Sequence, residues 1–175
     1  EVTNSVLNIL KVTDKPIELD PSDDSSQVWL LSTSGTTGTP KLVSYQLAAL
    51  MNTSQENINK GADYKWGLCY DLNRFAGVQV YLQAIASGST LTISESKDEL
   101  KDLVNLFIEK RVNCLSATPS FWRKILMTEN SDDLLLKRIT MGGEIADQTI
   151  INSLRKYFTD AKIIHIYAST EAGVG

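Results

Sequence analysis

Apolar and polar positions fall in blocks along this chain, and the spacing within blocks switches between that of a strand and that of a helix. Residues 1–27 are weakly patterned and end in Asp20-Pro21-Ser22-Asp23-Asp24-Ser25-Ser26, a linker or surface loop. Val28-Trp29-Leu30-Leu31 then reads as a buried strand and Leu42-Val43-Ser44-Tyr45 as a second short one. Leu47, Leu50, Met51 and Ile58 share one face of a helix closed by Gly61. Residues 66–70 predict a strand, 75–86 a largely apolar helix ending near Gly88, and 90–93 another strand. Ser96 with Glu99 three residues later has the capping-box pattern. The helix it opens carries Leu100, Leu103, Val104, Phe107 and Ile108 on one stripe. A strand over 112–117 leads to Pro119, well placed at a helix start where its missing N–H costs nothing. Residues 138–141 form a strand running into Gly142-Gly143. Asp147 caps a helix that turns Ile150, Ile151, Leu154, Tyr157 and Phe158 inward, and 162–166 is the last strand.

This alternation predicts an α/β fold, a largely parallel sheet with helices on both faces. In such sheets ligands bind beyond the carboxyl ends of the strands. The polar segments 33–41, 142–144 and 167–171 each follow a predicted strand, so the pattern predicts three strand-end sites converging on one edge.

Bulk properties narrow the classes. A chain of 175 residues, 42% hydrophobic and 22% charged, suits a globular domain. A net charge of -4 with no dense basic stripe argues against a general nucleic-acid binder. No apolar run is long enough for a membrane span, and no signal-peptide pattern opens the chain. Cys69 and Cys114 sit far apart in apolar runs and read as buried thiols of a reducing, cytoplasmic compartment, with a disulfide disfavoured. His165 is the one histidine, which argues against a triad or a histidine-built metal site. Trp29, Trp66 and Trp122 read as core or pocket wall.

The densest chemical signal is Ser32-Thr33-Ser34-Gly35-Thr36-Thr37-Gly38-Thr39-Pro40-Lys41. Such residues after a strand present N–H groups and hydroxyls to an anion, and Lys41 adds a point charge. By residue type alone this is either a surface loop or a polyphosphate cradle. It is not a Walker A loop, because Gly35 and Gly38 are too close and Pro40 precedes the lysine. A second signal is Tyr167-Ala168-Ser169-Thr170-Glu171, whose ring, hydroxyls and carboxylate suit a base, a phosphate oxygen and Mg²⁺, or else a packed ring and a solvated charge.

The string S-G-T-T-G-T-P-K resembles the phosphate-binding signature of the adenylate-forming (AMP-binding) enzymes, the superfamily of acyl-CoA synthetases, luciferases and peptide-synthetase adenylation domains. Met141-Gly142-Gly143-Glu144 resembles the family's Gly-Gly-(Glu/Ala) turn, and residues 167–171 its Tyr-Gly-x-Thr-Glu segment, all in the family's order. The resemblance implies that Thr33, Ser34, Gly35, Thr36, Thr37, Gly38 and Lys41 wrap the β- and γ-phosphates of ATP. It implies that the backbone of Gly142, Gly143 and Glu144 lies along the adenine and the acyl pocket. Tyr167 would stack on adenine, with Ala168 and Ser169 beside the nucleotide, Thr170 near the α-phosphate and Glu171 as the Mg²⁺ ligand. Lys41, Thr170 and Glu171 would be the catalytic set. The implied reaction joins a small carboxylic acid to AMP, releases pyrophosphate, and passes the acyl group to the thiol of CoA or of a carrier protein's phosphopantetheine.

Departures from the family pattern shape the rest. Ala168 replaces the usual glycine and narrows the pocket mouth by a methyl group. In residues 70–77, Gly77 aligns with the last glycine of a Pro-Leu-Phe-His-x-x-Gly pattern and Arg74 with its histidine. An inward Arg74 favours an acidic or polar acyl group; the alternative is a solvent-facing side chain. Arg74, Gly77, Gly143 and Ala168 are thus the expected substrate pocket. Asp71 invites comparison with the aspartate that binds the ammonium in amino-acid adenylation domains, but its distance to Ser87-Gly88 is too long for that alignment. The family's later Thr-Gly-Asp motif, hinge and C-terminal lysine have no counterpart here. The expectation is therefore an AMP-binding core over 28–175, part of a large N-terminal domain, preceded by a linker or partial upstream segment over 1–27. Without the C-terminal domain such a fragment is not expected to be a competent catalyst. An acyl-CoA synthetase-like ligase is the leading class; a carrier-loading adenylation domain and a non-catalytic nucleotide-binding relic are the alternatives.

Overall fold

Short apolar runs, none longer than four residues, assemble into the central sheet of the computed structural model. It describes residues 28–32, 42–51, 61–94 and 99–166, and the backbone of Ala168–Ser169 and Gly173–Val174. The strands are β3 (Lys65–Leu68), β4 (Thr90–Thr92), β5 (Cys114–Ala117), β6 (Arg138–Met141) and β7 (Lys162–His165), in spatial order β4-β3-β5-β6-β7. Every pairing among them is parallel. All four residues of β5 are buried, as a strand covered on both faces of a parallel sheet requires.

The register separates two faces. Gly67, Leu115, Ile139 and Ile163 stand in one row, Leu68, Ser116, Thr140 and Ile164 in the next. Onto the first face pack α3 (Leu100–Glu109), α4 (Pro119–Leu126) and α5 (Gln148–Tyr157), with Phe107, Trp122, Ile150 and Leu154 against Leu115, Ile139 and Met141. Trp122 is wholly buried, and its Nε1 donates to the Thr140 carbonyl at 3.1 Å. On the other face α2 (Phe75–Ala86) sets Val80 and Ala84 against Trp66, Leu68 and Cys114. Helices therefore cover both faces of a parallel sheet, as the alternation of periods predicts.

The outer side of α2 is also buried. Strands β1 (Val28–Ser32) and β2 (Leu42–Gln46) pair antiparallel in a separate two-stranded sheet, followed by α1 (Leu47–Met51). Leu31 and Leu50 meet Phe75, Val78 and Leu82 of α2, and the Tyr45 and Phe75 ring centroids lie 5.5 Å apart. Burial on two sides explains why α2 is apolar nearly all round.

Several expectations are corrected. Val28-Trp29-Leu30-Leu31 is a strand, but its partner is β2 and only Leu31 is buried, so segment 33–41 leaves an antiparallel pair and not the parallel sheet. A short apolar run carries no mark of which sheet it joins. The N-cap of α3 is Glu99, without a side-chain cap, so Glu99 does not hold the third position of a capping box; Ser96 lies outside the described residues, as do 52–60 with Ile58. Tyr157, expected inward, is 46% exposed, because the buried stripe runs Ile150, Leu154, Phe158 at four-residue steps and leaves Tyr157 to one side. Both cysteines are free thiols. No helix among the described residues is long and apolar enough to cross a membrane.

Candidate functional site

Because β3, β5, β6 and β7 run parallel, the segments leaving their carboxyl ends meet along one edge. Cys69-Tyr70-Asp71 leaves β3, Thr118 leaves β5, Gly142-Gly143-Glu144 leaves β6, and Ile166 leaves β7. Of the three polar segments predicted for this edge, the structure places 142–144 there directly. Residues 33–41, with Lys41, and Tyr167, Thr170 and Glu171 lie outside the described residues. Ala168–Ser169 is described by its backbone, paired antiparallel with Gly173–Val174.

The Gly142-Gly143 turn is held from both sides: Gly142 N donates to the Ala117 carbonyl at 3.3 Å, and Ile166 N to the Met141 carbonyl at 2.7 Å. Gly143 has φ +80°, a left-handed conformation that L side chains rarely adopt. The turn thus presents side-chain-free backbone at the edge, and Gly143 is exposed. A planar ring can lie against such a wall.

Glu144 points away from this wall. Its Oε2 accepts from Ser120 N at 3.0 Å, at the start of α4, where Thr118 Oγ1 also caps by accepting from Phe121 N at 3.1 Å. The Ser120 hydroxyl, the Ser120 N–H, the Thr118 hydroxyl and the Arg123 charge hold the Glu144 carboxyl below its ordinary range, against a smaller opposing effect of burial. Three residues on, Asp147 Oδ1 accepts from Ile150 N at 2.9 Å to cap α5, and Oδ2 meets Arg123 Nη2 at 2.6 Å. The loop after β6 is therefore stapled to two helix starts. His165 Nε2 lies 3.4 Å from the Glu144 carbonyl, which accepts from it in the tautomer protonated there.

Sequence reasoning missed Tyr70. Its hydroxyl donates to the Gly142 carbonyl across 3.5 Å, and burial pushes its pKa up to about 12, partly offset by a hydrogen bond to Ser116. It stays a neutral phenol at working pH. Its signal, an aromatic two residues past a strand, has no distinguishing spacing. Burial likewise pushes the thiols of Cys69 and Cys114 up to about 12, so neither supplies a thiolate. Among the described residues no group of His, Cys, Asp and Glu converges for a metal.

The expected pocket residues Arg74 and Gly77 sit together at the start of α2. A Cβ on Gly77 would overlap the Asp71 carbonyl, so this glycine lets the segment leaving β3 lie flat on the helix. The Arg74 side chain turns to β1, with Nη1 3.4 Å from both the carbonyl and the hydroxyl of Ser32. Asp71 Oδ1 accepts from Asn73 N at 2.8 Å and from Asn73 Nδ2 at 3.1 Å.

Comparison with known proteins agrees with this architecture. The D-alanine--D-alanyl carrier protein ligase of Staphylococcus epidermidis is 29% identical over 193 residues, covering 99% of this chain and 38% of the ligase. Tyrocidine synthase 3 of Brevibacillus parabrevis is 26% identical over 166 residues, covering 89% of this chain and 2% of the synthase. The chain thus spans well under half the length of these curated relatives. Among solved structures, the Klebsiella oxytoca NpsA N-terminal subdomain in complex with 3-hydroxybenzoyl-AMSN superposes with a TM-score of 0.75 at 19% identity, over 97% of this chain and 44% of that one. An acyl-CoA synthetase of Brucella canis gives a TM-score of 0.68 at 22% identity, over 86% of this chain and 29% of the synthetase. The family profile described as AMP-binding enzyme matches residues 3–175, and the chain belongs to that family.

Proposed function

We propose that the chain is the nucleotide-binding core of an ATP-dependent acid–thiol ligase. The Gly142-Gly143 wall at the carboxyl edge carries this reading: bare backbone, at positive φ in Gly143, held between β5 and β7, where an adenine ring can rest. The substrate carboxylate attacks the α-phosphorus of ATP, the bond to the β-phosphate oxygen breaks, and pyrophosphate leaves with its electron pair. The acyl-adenylate that remains is opened by a thiol, which takes the acyl group and releases AMP. In-line positioning and charge stabilisation suffice for the first step, so no protein base is required.

Roles within this proposal follow the resemblance. Thr33, Ser34, Gly35, Thr36, Thr37, Gly38 and Lys41 receive the β- and γ-phosphates, Tyr167 the adenine, Thr170 the α-phosphate, and Glu171 is the Mg²⁺ ligand. The intact Lys41, Thr170 and Glu171 weigh against a non-catalytic relic. A reaction that consumes ATP and a reduced thiol is placed in the cytoplasm.

Two acceptors divide the supporting observations. The Arg74–Gly77 pattern favours CoA. Similarity to the D-alanine--D-alanyl carrier protein ligase favours a carrier-protein thiol. The test is carboxylate-dependent exchange of labelled pyrophosphate into ATP by the protein at its full natural length, followed by transfer assays with CoA and with a phosphopantetheinylated carrier. No exchange with any of a broad panel of acids would sink the ligase reading.

A further inference from the structure

We infer that Tyr70 is a positioning residue for the nucleobase: its hydroxyl locks the Gly142–Gly143 peptide in one of the two orientations open to it, and so fixes which polar group of the wall a bound ring meets. The inference rests on the proposed adenine-binding role of that wall.

The bonding of two successive peptides carries it. The Met141–Gly142 peptide is tied into the sheet at both polar atoms: Gly142 N donates to the Ala117 carbonyl, and the Met141 carbonyl accepts from Ile166 N. The Gly142–Gly143 peptide has left the sheet. Among the described residues its one partner is Tyr70, whose hydroxyl donates to the Gly142 carbonyl at 3.5 Å.

Glycine stands on both sides of this peptide, so no Cβ opposes its rotation by half a turn. The two orientations differ as type I and type II turns do, in the sign of φ at the residue that follows. Gly143 holds the positive one, φ +80°. The peptide is trans, so with its carbonyl on Tyr70 the Gly143 N–H faces the other way, at an exposed residue. Reversal would exchange donor and acceptor on the wall.

Tyr70 is held so that it can keep this orientation. In the sheet β5 lies between β3 and β6. About 9–10 Å therefore separates the strands whose ends Tyr70 joins, a span beyond Ser, Thr or Asn. Its ring packs against the cluster of Trp66, Leu68, Val80 and Cys114. Just past it, the Asp71 carbonyl sits where a Gly77 Cβ would stand and accepts from Arg74 N at 3.0 Å. The phenol has one proton and the Gly142 carbonyl can only accept, so Tyr70 donates there and receives the hydrogen bond of Ser116. Burial keeps the phenol protonated, so the lock does not open with pH in the working range.

The test uses the protein at its full natural length and has two arms. The first is a stability cycle of wild type, Tyr70→Phe, Gly143→Ala and the double variant, read by thermal midpoint. With the lock gone the peptide can turn and bring residue 143 to negative φ, so Gly143→Ala should lower the midpoint less in the Tyr70→Phe background than alone. The second arm is calorimetry with AMP and IMP, which carry opposite hydrogen-bonding groups at the six position of the ring. Tyr70→Phe should weaken AMP about fivefold and bring the AMP and IMP affinities closer together. Ser116→Ala should do the same to a smaller extent; if Tyr70→Phe does not fold, it carries this arm, and unchanged affinities in it then overturn the inference. Additive midpoints, unchanged AMP and IMP affinities in Tyr70→Phe, or a changed acid preference in pyrophosphate exchange with AMP affinity intact each overturns the inference alone. If wild type binds no AMP, whatever the midpoints show, the adenine reading of the wall fails and the inference falls with it.

Discussion

At Gly143 the backbone has φ +80°, and the nearest atom a Cβ would meet is Thr118 Cγ2 at 3.6 Å, an ordinary contact. The cost of a side chain there is thus backbone strain and not collision. Gly143→Ala should destabilise the fold by about 1–2 kcal/mol, read as a lowered urea midpoint at unchanged slope. Its neighbour provides the contrast. Gly142 has ordinary φ, and a Cβ would stand 3.6 Å from the Ile166 carbonyl and 4.0 Å from the Tyr70 hydroxyl. Gly142→Ala should leave stability within about 0.5 kcal/mol while weakening nucleotide binding by roughening the wall. Two adjacent glycines were legible in the sequence as a turn. Which of them the backbone demands was not, because that depends on the conformation the turn takes between Thr118 and Ile166 of the neighbouring segments.

At the scale of elements, two carboxylates hold helix starts, and both titrate. The Ser120 hydroxyl is the main reason Glu144 lies below its ordinary 4.5, and the Ile150 N–H the main reason Asp147 lies below 3.8. The unfolded chain therefore binds protons at these positions more tightly than the folded one. Their contribution is complete above about pH 5 and is lost as pH falls below the ordinary values and through the depressed folded ones. A chain carrying Glu144→Gln and Asp147→Asn should show a shallower loss of stability between about pH 5 and pH 3; an unchanged acid limb would refute the staple. Asp147 was readable as a cap because its partner is three residues on. Glu144 was not, since Ser120 lies 24 residues away, on the other side of β6 in the chain. The same distinction runs through the fold. The stripe of α3, and that of α5 apart from Tyr157, matched local periodicity, whereas the antiparallel pairing of β1 with β2 left no mark in a five-residue run. For α2, burial between two layers gives a separable outcome. Phe75→Ala should cost roughly 3 kcal/mol and, in hydrogen exchange, release the amides of β1 and β2 before those of β5 and β6.

For the whole molecule, the proposed reaction divides ligand recognition between two bodies: the parallel sheet's carboxyl edge for the adenylate half, and the segment leaving β1 for the leaving pyrophosphate. The sheet edge is rigid by construction, its turn bonded to Ala117 and Met141 and its loop capped onto α4 and α5. The β1–β2 layer reaches the rest through α2, by the Leu31, Leu50 and Phe75 cluster and by Arg74. An acyl-adenylate needs only the first body, ATP both. A non-hydrolysable acyl-adenosine analogue should therefore raise the thermal midpoint of the protein at its full natural length, and ligand at a hundredfold its dissociation constant adds about 2.7 kcal/mol. Phe75→Ala should leave the dissociation constant of that analogue within about twofold while weakening ATP about tenfold or more, because the substitution loosens the layer from which the phosphate segment departs and spares the edge. Calorimetry with both ligands on wild type and variant checks this. Parallel loss of both affinities would show that the two layers act as one body, and the division of labour proposed between them would have to be abandoned.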